Sequence, residues 1–574
     1  MAFKFQINPD IRFIHDEALL AKADACRPVI HARAVRPRRL VCLQQDPGKY
    51  MGWGVCEDER KSVREDERER AREDERGSAR EDERRVEALP ERVLRRGDRV
   101  ILDFGRHCVG HFSVDIRKSG CAMDAPLYLR VRLAEVCAEL AEEPKAYEGW
   151  LSRSWIQEEY LHLDVLPARL ELPRRYSFRF VELTVIDTSP KWGVTFANPQ
   201  AECLSAAEEE KQAIPLPADE RLRAICEVSV RTLAECMQDV FEDGPKRDRR
   251  LWLGDLRLQA LANYATFDNA ALVKRCLYLF AAMATEDGRL PACVFTSQAY
   301  EPDDTFLFDY SLFFISALHD YLQVHEDPEL LRDLYPVCVR QMNAAWESVG
   351  ADGALHCGED CPVFIDWSND FNKDTAGQAV LIYVLRQFLT LGQMAGDPAC
   401  APGQMTGNPA SGQMAGVPNL ALWQTRLDRL TAYAMSELFD ADRHLFVSGP
   451  DRELNAASQV WMVLANVAGE AENRRIMEET VKNFFPVRGI ATPYMYHHIA
   501  EALFAAGLKT EALDLIRAYW GGMIDLGADT FWESYQPDMP DYSPYGSTSV
   551  LSYCHAWSCT PVYLLRRYAP EVFA

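Results

Sequence analysis

Two patterns of hydrophobic and polar positions divide this chain near residue 210. Before that point, the segments 109–116, 127–133 and 176–186 alternate apolar with polar residues, and 99–105 is a short apolar run that ends at a turn glycine. Alternation with a period of two predicts strands with one buried face. Short strands separated by turns predict an antiparallel β-sandwich over residues 1–205.

After residue 216, apolar residues recur at spacings of three and four, which is the period of a helix. Twelve segments show this pattern: 218–240, 253–267, 269–285, 308–324, 328–349, 372–391, 418–437, 453–468, 470–484, 493–506, 509–524 and 547–568. Six helical hairpins need twelve helices, so the pattern predicts an all-α (α/α)6 six-hairpin barrel over residues 216–574. A chain of 574 residues is also expected to be multidomain.

Two segments of low complexity interrupt these patterns. The sequence Arg-Glu-Asp-Glu-Arg occurs three times within a charged insertion at about 57–88. Because it has almost no apolar residues, we expect a solvated helix or a disordered loop. The sequence Gly-Gln-Met occurs three times within a second segment, at about 392–418, which predicts a flexible loop between two helices.

Charge and cysteine content narrow the functional classes. The chain has 63 Lys+Arg against 87 Asp+Glu, a formal net charge of -24, which disfavours binding to nucleic acid or to an anionic membrane surface. A neutral substrate rich in hydroxyl groups is compatible with this charge. The 17 cysteines follow no regular framework and the first residues do not resemble a signal peptide, so we expect a reduced, cytoplasmic protein. His356, Cys357 and Cys361 stand alone, so thiols are favoured over a metal site, and no cofactor is expected.

Candidate chemistry is concentrated in the 243–255 segment, Asp243-Gly-Pro-Lys-Arg-Asp-Arg-Arg-Leu-Trp-Leu-Gly-Asp255, between the first two predicted helices. It holds three carboxylates, three arginines and Trp252. Gly244 and Pro245 prevent a regular helix there. Arginine beside aspartate orients a carboxylate by paired hydrogen bonds, and a tryptophan ring offers an apolar platform to a sugar. The alternative interpretation is a salt-bridged loop that caps a helix.

Further acidic and aromatic residues stand together in later loops, in the pairs Asp366-Trp367 and Trp532-Glu533. Either pair alone is more typical of a packed tryptophan with a solvated acid. His555, on the predicted last helix, is more typical of a core histidine. Together, however, they match glycoside hydrolysis, which needs one acid to protonate the leaving oxygen and a second carboxylate. The sequence has no phosphate-binding loop and no serine-hydrolase or zinc-protease motif.

The 243–255 segment resembles the signature of glycoside hydrolase family 78, the bacterial α-L-rhamnosidases, typically Asp-Cys-Pro-x-Arg-(Asp)-Glu-Arg-x-Gly-Trp-x-Gly-Asp. Weaker similarities lie on both sides and extend the resemblance over most of the chain from about residue 95. They are Asp103-Phe-Gly105, Ala134-Glu135, Phe178-Arg-Phe180, Trp532-Glu533 and His555-Ala-Trp557.

The resemblance implies an inverting exo-hydrolase that acts on terminal α-L-rhamnosyl or related deoxysugar residues. By this analogy Glu533 is the general base. The implied sugar-binding residues are Asp243, Arg247, Trp252, Asp255, Asp366, Trp367, Trp532 and His555. Asp248, five residues after Asp243, is assigned as the general acid, with Asp255 as the alternative.

One departure from the family pattern leaves other functions open. Arg249 stands where many members have glutamate, and arginine cannot supply a proton near neutral pH. A sugar-binding relative without catalysis is therefore one alternative. The other is a polysaccharide lyase that uses His497 and His498 with Tyr494 or Tyr496, although a histidine pair packed on a helix is the more common arrangement. The oligomeric state is not indicated by the sequence.

Overall fold

The computed structural model describes residues 6–58, 92–208, 214–396 and 420–574. Within these residues the N-terminal domain is one antiparallel sheet of nine strands, in the order β1-β9-β4-β8-β5-β6, with β2 and β7 also paired to β4 and with β3 paired to β2. The strands are β1 His31–Val35, β2 Arg39–Gln45, β3 Trp53–Glu57, β4 Arg99–Gly120, β5 Leu127–Ala134, β6 Glu158–Leu163, β7 Ala168–Glu171, β8 Tyr176–Asp187 and β9 Trp192–Ser205. The predicted antiparallel β domain is confirmed.

Strand β4 joins the two halves of this sheet. Its first residues pair with β2 and β8, and its last residues pair with β7 and β9. The predicted alternation appears in burial, because Phe112, Val114 and Ile116 are fully buried while the residues between them are partly exposed. The rings of Phe104, Phe112 and Phe178 pack edge to face with centroids 5.3–6.3 Å apart, in a core separate from that of the helical domain.

The helical domain of the described chain consists of two rings of six helices. The inner helices are Leu253–Tyr264, Phe308–Val324, Asp374–Ala395, Ala456–Leu464, Pro493–Ala505 and Pro561–Tyr568. Each inner helix contacts the next, and the last contacts the first, so the ring closes. The outer helices are Glu220–Cys236, Ala270–Ala282, Pro328–Glu347, Leu420–Tyr433, Glu470–Phe484 and Lys509–Asp525. Inner and outer helices alternate along the chain, which confirms the predicted six-hairpin barrel.

The distribution of apolar residues explains which helices lie inside. The inner helix Pro493–Ala505 is buried on all sides from Pro493 to Phe504. The outer helix Glu470–Phe484 buries only Asn473, Ile476, Met477 and Thr480, one stripe at helical spacing. A helix with a single apolar stripe can cover a core but cannot stand inside it.

The last helix begins later than predicted, at Pro561 rather than at residue 547. Proline suits the first position of a helix because its missing N–H has no partner there in any case. The preceding segment contains only two short 3-10 turns, Thr548–Val550 and Ala556–Ser558. Its backbone N–H groups are bound by side chains instead, since Ser552 donates to Glu533 and Tyr553 to Glu135. His555 therefore lies on extended backbone and not on a helix.

The first described residues pack against the barrel rather than the sheet. The helix Glu17–Ala25 contacts the outer helix Ala270–Ala282, and Ile14 and Asp16 donate backbone hydrogen bonds to Ala284 and Ala282. The predicted charged insertion at about 57–88 and loop at about 392–418 lie mostly outside the described residues, although the helix Asp374–Ala395 extends into the latter. No helix among the described residues combines the length and the apolar character that a bilayer crossing requires.

The outer helix Glu470–Phe484 provides a test of this arrangement. Ile476 is fully buried in its inner stripe, whereas Glu478 is exposed on the opposite side. We expect Ile476→Ala to lower the free energy of unfolding by about 2–5 kcal/mol, because it removes buried contacts and leaves a cavity. Glu478→Ala is the matched control and should change it by less than about 0.5 kcal/mol. Urea unfolding of both variants measures the difference, and equal stability would contradict the inner and outer assignment.

Candidate active site

A cavity of about 380 Å³ lies where the inner helices begin. The side chains around it come from the loops before the inner helices or from their first turns. The cavity is lined by Asp243, Arg247, Asp248, Trp252, Asp255, Leu307, Tyr310, Phe364, Trp367, Glu533, Tyr545, His555 and Trp557. It therefore combines four carboxylates with one arginine, one histidine and a set of aromatic rings.

Asp243 organises the loop that carries three of these residues. Its carboxylate accepts backbone hydrogen bonds from Asp248 (3.2 Å) and from Arg250 (3.0 Å). Its own backbone N–H donates to the carbonyl of Arg250, and its carbonyl accepts from Ala556. This closed loop fixes the direction of the Arg247 and Asp248 side chains, and it anchors the 548–560 segment on the other side of the cavity.

Arg247 joins two carboxylates across the cavity. Its Nη1 lies 3.3 Å from Oδ1 of Asp248, and its Nη2 donates to Oε2 of Glu533. Its Nε donates to the carbonyl of Val550 at 2.7 Å, and its guanidinium lies 4.3 Å from the centre of the Tyr545 ring. Since every nitrogen of this buried guanidinium has a partner, its position is strongly constrained.

Glu533 is buried but remains an acceptor. Its Oε1 accepts from the Tyr545 hydroxyl, and its Oε2 also accepts from the backbone N–H of Ser552 at 3.1 Å. Burial disfavours the charged form, yet the Arg247 guanidinium outweighs this and holds the pKa of Glu533 below its ordinary value. The carboxylate is therefore ionised at neutral pH and can accept a proton.

A second group of titratable residues surrounds His555 in the cavity. His555 stands between Asp243 and Asp255, at 3.7 Å and 3.6 Å. Burial and the charge of Asp248 raise the pKa of Asp243 to about 8, and burial with the charge of Asp243 raises that of Asp255 well above its ordinary value. Burial lowers the pKa of His555 to about 4. Neither Oδ1 of Asp255 nor Nδ1 of His555 has a hydrogen-bond partner within the described protein, so both can meet a ligand hydroxyl.

Aromatic rings form the remaining wall of the cavity. Phe364 contacts Tyr310 and Trp367 edge to face, with ring centroids 5.3 Å apart in both pairs, and stacks on Trp557 at 6.2 Å. Trp367 also contacts Tyr545 at 5.5 Å. Such a wall offers apolar contact to the CH groups of a sugar ring, while the carboxylates opposite offer hydrogen bonds.

The structure brings eight of the ten predicted site residues to this cavity: Asp243, Arg247, Asp248, Trp252, Asp255, Trp367, Glu533 and His555. Asp366 and Trp532 are not among its lining residues. The Asp366 carboxylate accepts backbone hydrogen bonds from Ser368, Ala491 and Thr492, so it joins two loops. The Trp532 ring packs on Tyr50 with centroids 4.5 Å apart.

Arg249, the departure from the family signature, does not line the cavity. Its Nε donates to the carbonyl of Lys246 at 3.3 Å. Burial and the neighbouring charge of Arg175, a residue of the β domain, lower the pKa of Arg249 to about 10. Of the adjacent residues Asp248 and Arg249, it is Asp248 that lines the cavity. Arg249 therefore does not take the place of a carboxylate in the cavity wall.

The histidines of the lyase alternative are core residues. His497 and His498 are fully buried in the inner helix Pro493–Ala505. Nδ1 of His498 lies 2.9 Å from the carbonyl of Tyr494, and its ring contacts Trp461 at 4.3 Å. Burial lowers the pKa of His498 well below its ordinary value. Neither histidine lines the cavity.

Five lining residues escaped the sequence analysis as site residues: Leu307, Tyr310, Phe364, Tyr545 and Trp557. Two of them stand two residues from a predicted site residue, namely Phe364 before Asp366 and Trp557 after His555, and that proximity was a usable signal. Tyr545 lies twelve residues after Glu533 in an irregular loop, and no motif in the sequence marks it.

The segment of the β domain that follows β5 binds the loop residues that carry the active site. Oε2 of Glu135 accepts the backbone N–H of Tyr553 at 2.6 Å. Glu139 accepts from Nζ of Lys246, which also donates to the carbonyl of Leu551 at 2.7 Å. Glu142 accepts from the Ser549 hydroxyl. Three glutamates of one domain thus hold the segment of the other domain that carries His555.

Two larger cavities lie elsewhere in the described chain. One, of about 900 Å³, lies between residues 370–371, 453–456 and 483–490, and the other, of about 1130 Å³, lies where β1 and β9 meet the helix Glu220–Cys236. The first is lined by two carboxylates and three phenylalanines but by none of the predicted site residues, and the second has no aromatic residue, so size alone does not identify the active site. No group of three or more potential metal ligands occurs in the described parts of the chain.

Comparisons with known proteins agree with this site. Residues 67–203 match the model of the glycosyl hydrolase family 78 α-rhamnosidase N-terminal domain, and residues 217–569 match that of the bacterial α-L-rhamnosidase six-hairpin glycosidase domain. A solved rhamnosidase from Klebsiella oxytoca with rhamnose bound is 40% identical, covers 97% of this chain and 100% of its own, and has a TM-score of 0.85. A search of curated proteins gave no match.

Two more distant structures share the fold. The family 78 rhamnosidase of Bacillus sp. GL1 is 23% identical, with a TM-score of 0.67, over 84% of this chain and 47% of its own. The Streptomyces avermitilis α-L-rhamnosidase complexed with L-rhamnose is 16% identical, with a TM-score of 0.58, over 84% of this chain and 44% of its own. The family models span both domains and the Klebsiella relative spans nearly the whole chain, so this protein belongs to the glycoside hydrolase family 78 α-L-rhamnosidases.

Proposed function

We propose that the protein hydrolyses terminal α-L-rhamnosides with inversion, with Asp248 as general acid and Glu533 as general base. The observation that carries this proposal is the position of Arg247, whose two terminal nitrogens contact these two carboxylates on one cavity. Inverting hydrolysis needs two carboxyl groups on opposite sides of the anomeric carbon, one to protonate the leaving oxygen and one to activate water.

Asp248 is favoured over Asp255 as the acid by its position. The Asp248 side chain is 13% exposed, whereas those of Asp255 and Glu533 are 3% and 2% exposed. The leaving group must extend toward solvent from an exo-acting enzyme, so the acid that protonates it belongs near the opening. Asp255, in the first turn of an inner helix beside His555, is better placed to bind a hydroxyl of the sugar.

The other lining residues hold the sugar in this proposal. Asp243 and Asp255 both lie within 3.7 Å of His555, and these three residues can form hydrogen bonds with the hydroxyl groups of the sugar. The rings of Trp367 and Phe364 cover the apolar side. The Klebsiella relative with rhamnose bound, 40% identical over nearly the whole chain, supports L-rhamnose as the sugar.

Substitution of each carboxylate tests the two roles. Asp248→Asn and Glu533→Gln each remove one proton transfer, so we expect kcat on methyl α-L-rhamnoside to fall by about 10²–10⁴-fold. On 4-nitrophenyl α-L-rhamnoside, the fall in kcat for Asp248→Asn should be much smaller, because nitrophenolate leaves readily without a proton. The fall in kcat for Glu533→Gln should be as large as on the methyl substrate. Steady-state kinetics on both substrates measure this.

Azide distinguishes the base from a residue that only supports the fold. Azide needs no base, so it should restore turnover of the nitrophenyl substrate by Glu533→Gln and have no such effect on Asp248→Asn. Asp255→Asn is the comparison for the alternative acid. If Asp255→Asn rather than Asp248→Asn loses much less activity on the nitrophenyl substrate than on the methyl substrate, the assignment of Asp248 as the acid is wrong.

The surroundings of Glu533 predict a pH effect. Below the pKa of Glu533 the carboxylate binds a proton and cannot accept one from water, so kcat/KM is lost as the pH falls through that pKa. The hydrogen bond that the Tyr545 hydroxyl donates to Glu533 stabilises the ionised carboxylate and lowers its pKa. Tyr545→Phe should therefore shift the acid limb of the kcat/KM profile to higher pH.

The matched control for this shift is Tyr535→Phe. Tyr535 lies in the same part of the chain and is also buried. Its backbone carbonyl accepts a hydrogen bond from the Tyr519 hydroxyl, whereas its own hydroxyl makes none within the described chain. Its acid limb should coincide with that of the wild type. An unshifted limb in Tyr545→Phe, or an equal shift in both variants, would remove Glu533 as the group that titrates.

A further inference from the structure

A small three-stranded sheet adjoins the active-site cavity. Its strands are β10 Leu251–Trp252, β11 Cys293–Phe295 and β12 Glu301–Pro302, which pair antiparallel in that order. Leu251 lies opposite Val294, and both are fully buried in the core of the helical domain. Successive side chains of a strand point to opposite faces, so Trp252 projects from the other face, where it lines the cavity.

The same alternation places Arg250 on the cavity side of this sheet. Arg250 directly precedes the buried Leu251, and both Arg250 and Trp252 are partly exposed. The Arg250 guanidinium lies 4.3 Å from the centre of the Phe295 ring, which comes from the neighbouring strand β11. Continuation of the strand register makes this contact a cross-strand pair. Stacking on the ring fixes the plane of the guanidinium.

Arg250 faces carboxylates but is paired with none of them. Burial alone would lower its pKa, yet nearby charges, that of Asp248 above all, raise the pKa above its ordinary value. Within the described chain the guanidinium forms no ion pair, and its polar neighbour is the weakly accepting thiol of Cys293. None of its nitrogens is both buried and without a partner, so its N–H groups open on solvent beside the acid.

Asp303 supplies an acceptor near these donors. Its backbone N–H donates to the carbonyl of Cys293 at 3.0 Å, which places it at the end of β12 in the row of the sheet that contains Trp252. Its charge contributes to the raised pKa of Arg250, so the two side chains are close without being paired. The Asp303 side chain is partly exposed and makes no hydrogen bond or ion pair in the part of the chain that the structure describes.

We propose that Arg250 and Asp303 form the subsite for the leaving group and that they select a neutral sugar there. This inference rests on the proposed function, with Asp248 as the acid, because a leaving group protonated by Asp248 departs past the residues next to it. Neighbouring hydroxyl groups of a sugar can accept from the guanidinium and donate to the carboxylate. An aryl group would leave these groups without hydrogen bonds, and an anionic group would meet the charges of Asp303 and Asp248.

Two substrates with the same glycosyl group test this subsite, namely 6-O-α-L-rhamnosyl-D-glucose and methyl α-L-rhamnoside. Both release an alcohol, so both need protonation by the acid. Arg250→Met keeps an unbranched apolar chain over Phe295 and removes the donors. We expect kcat/KM for the disaccharide to fall by about tenfold or more, mainly through KM, because hydrogen bonds from a charged group are lost. At the pH optimum of each enzyme, the loss on the methyl substrate should be at least about threefold smaller.

Two further variants accompany this measurement. Asp303→Ala removes the acceptor and should also impair the disaccharide more than the methyl substrate. Arg289→Met is the matched control, because the Arg289 guanidinium likewise stacks on a ring, at 4.6 Å from the centre of Phe306, but is paired with Asp287. It should leave both values of kcat/KM unchanged.

Three results would contradict the inference in different ways. Equal losses on the two substrates in Arg250→Met would overturn the subsite and leave the hydrolase proposal intact. Faster cleavage of an α-L-rhamnosyl-D-galacturonate than of the glucose disaccharide, with this preference lost in Arg250→Met, would overturn the selection of a neutral sugar. A wild-type enzyme that cleaves none of these rhamnosides would overturn the proposed function and the subsite with it.

Discussion

The buried guanidinium of Arg247 is the interaction on which the active site depends. A charge removed from water is costly unless it is paired and hydrogen-bonded. Arg247 meets this requirement with Glu533, Asp248 and the carbonyl of Val550, which belong to three separate segments of the chain. Any displacement of one segment would leave a charged group buried without its partner, so this set of contacts holds the three segments together around the cavity.

The β domain belongs to the same structural unit. Glu135, Glu139 and Glu142 hold the 548–553 segment from outside the barrel, directly or through Lys246. That segment in turn presents the Ser552 N–H to Glu533 and places His555 between two aspartates. The barrel alone would lack these supports. The family resemblance over both domains is therefore matched by physical contacts between them.

Sequence reasoning reached the architecture because periodicity reports burial. Apolar residues on all sides indicate an inner helix, as in Pro493–Ala505. Apolar residues along a single stripe indicate an outer helix, as in Glu470–Phe484. It failed at the last helix, where helical spacing was present upstream of Pro561 but the backbone N–H groups of Ser552 and Tyr553 bind the carboxylates of Glu533 and Glu135. Such long-range partners leave no local pattern.

The same limit applies to the site residues. The 243–255 segment could be found because its charged residues are consecutive and its loop is closed by local hydrogen bonds to Asp243. Asp366 and Trp532 have the right residue types, but neighbours distant in sequence direct their side chains to other contacts. Tyr545 lines the cavity because its loop folds back over Arg247, which only the three-dimensional structure reveals.

The central claim is that the two carboxylates joined by Arg247 act as acid and base on opposite sides of the sugar. Proton NMR of the first-formed sugar during hydrolysis of an α-L-rhamnoside tests this claim most directly. Attack by water activated by Glu533 predicts β-L-rhamnose as the initial product, followed by slow mutarotation to the mixture of anomers. Initial release of α-L-rhamnose would contradict the account, because retention requires a covalent intermediate in which a carboxylate acts as the nucleophile.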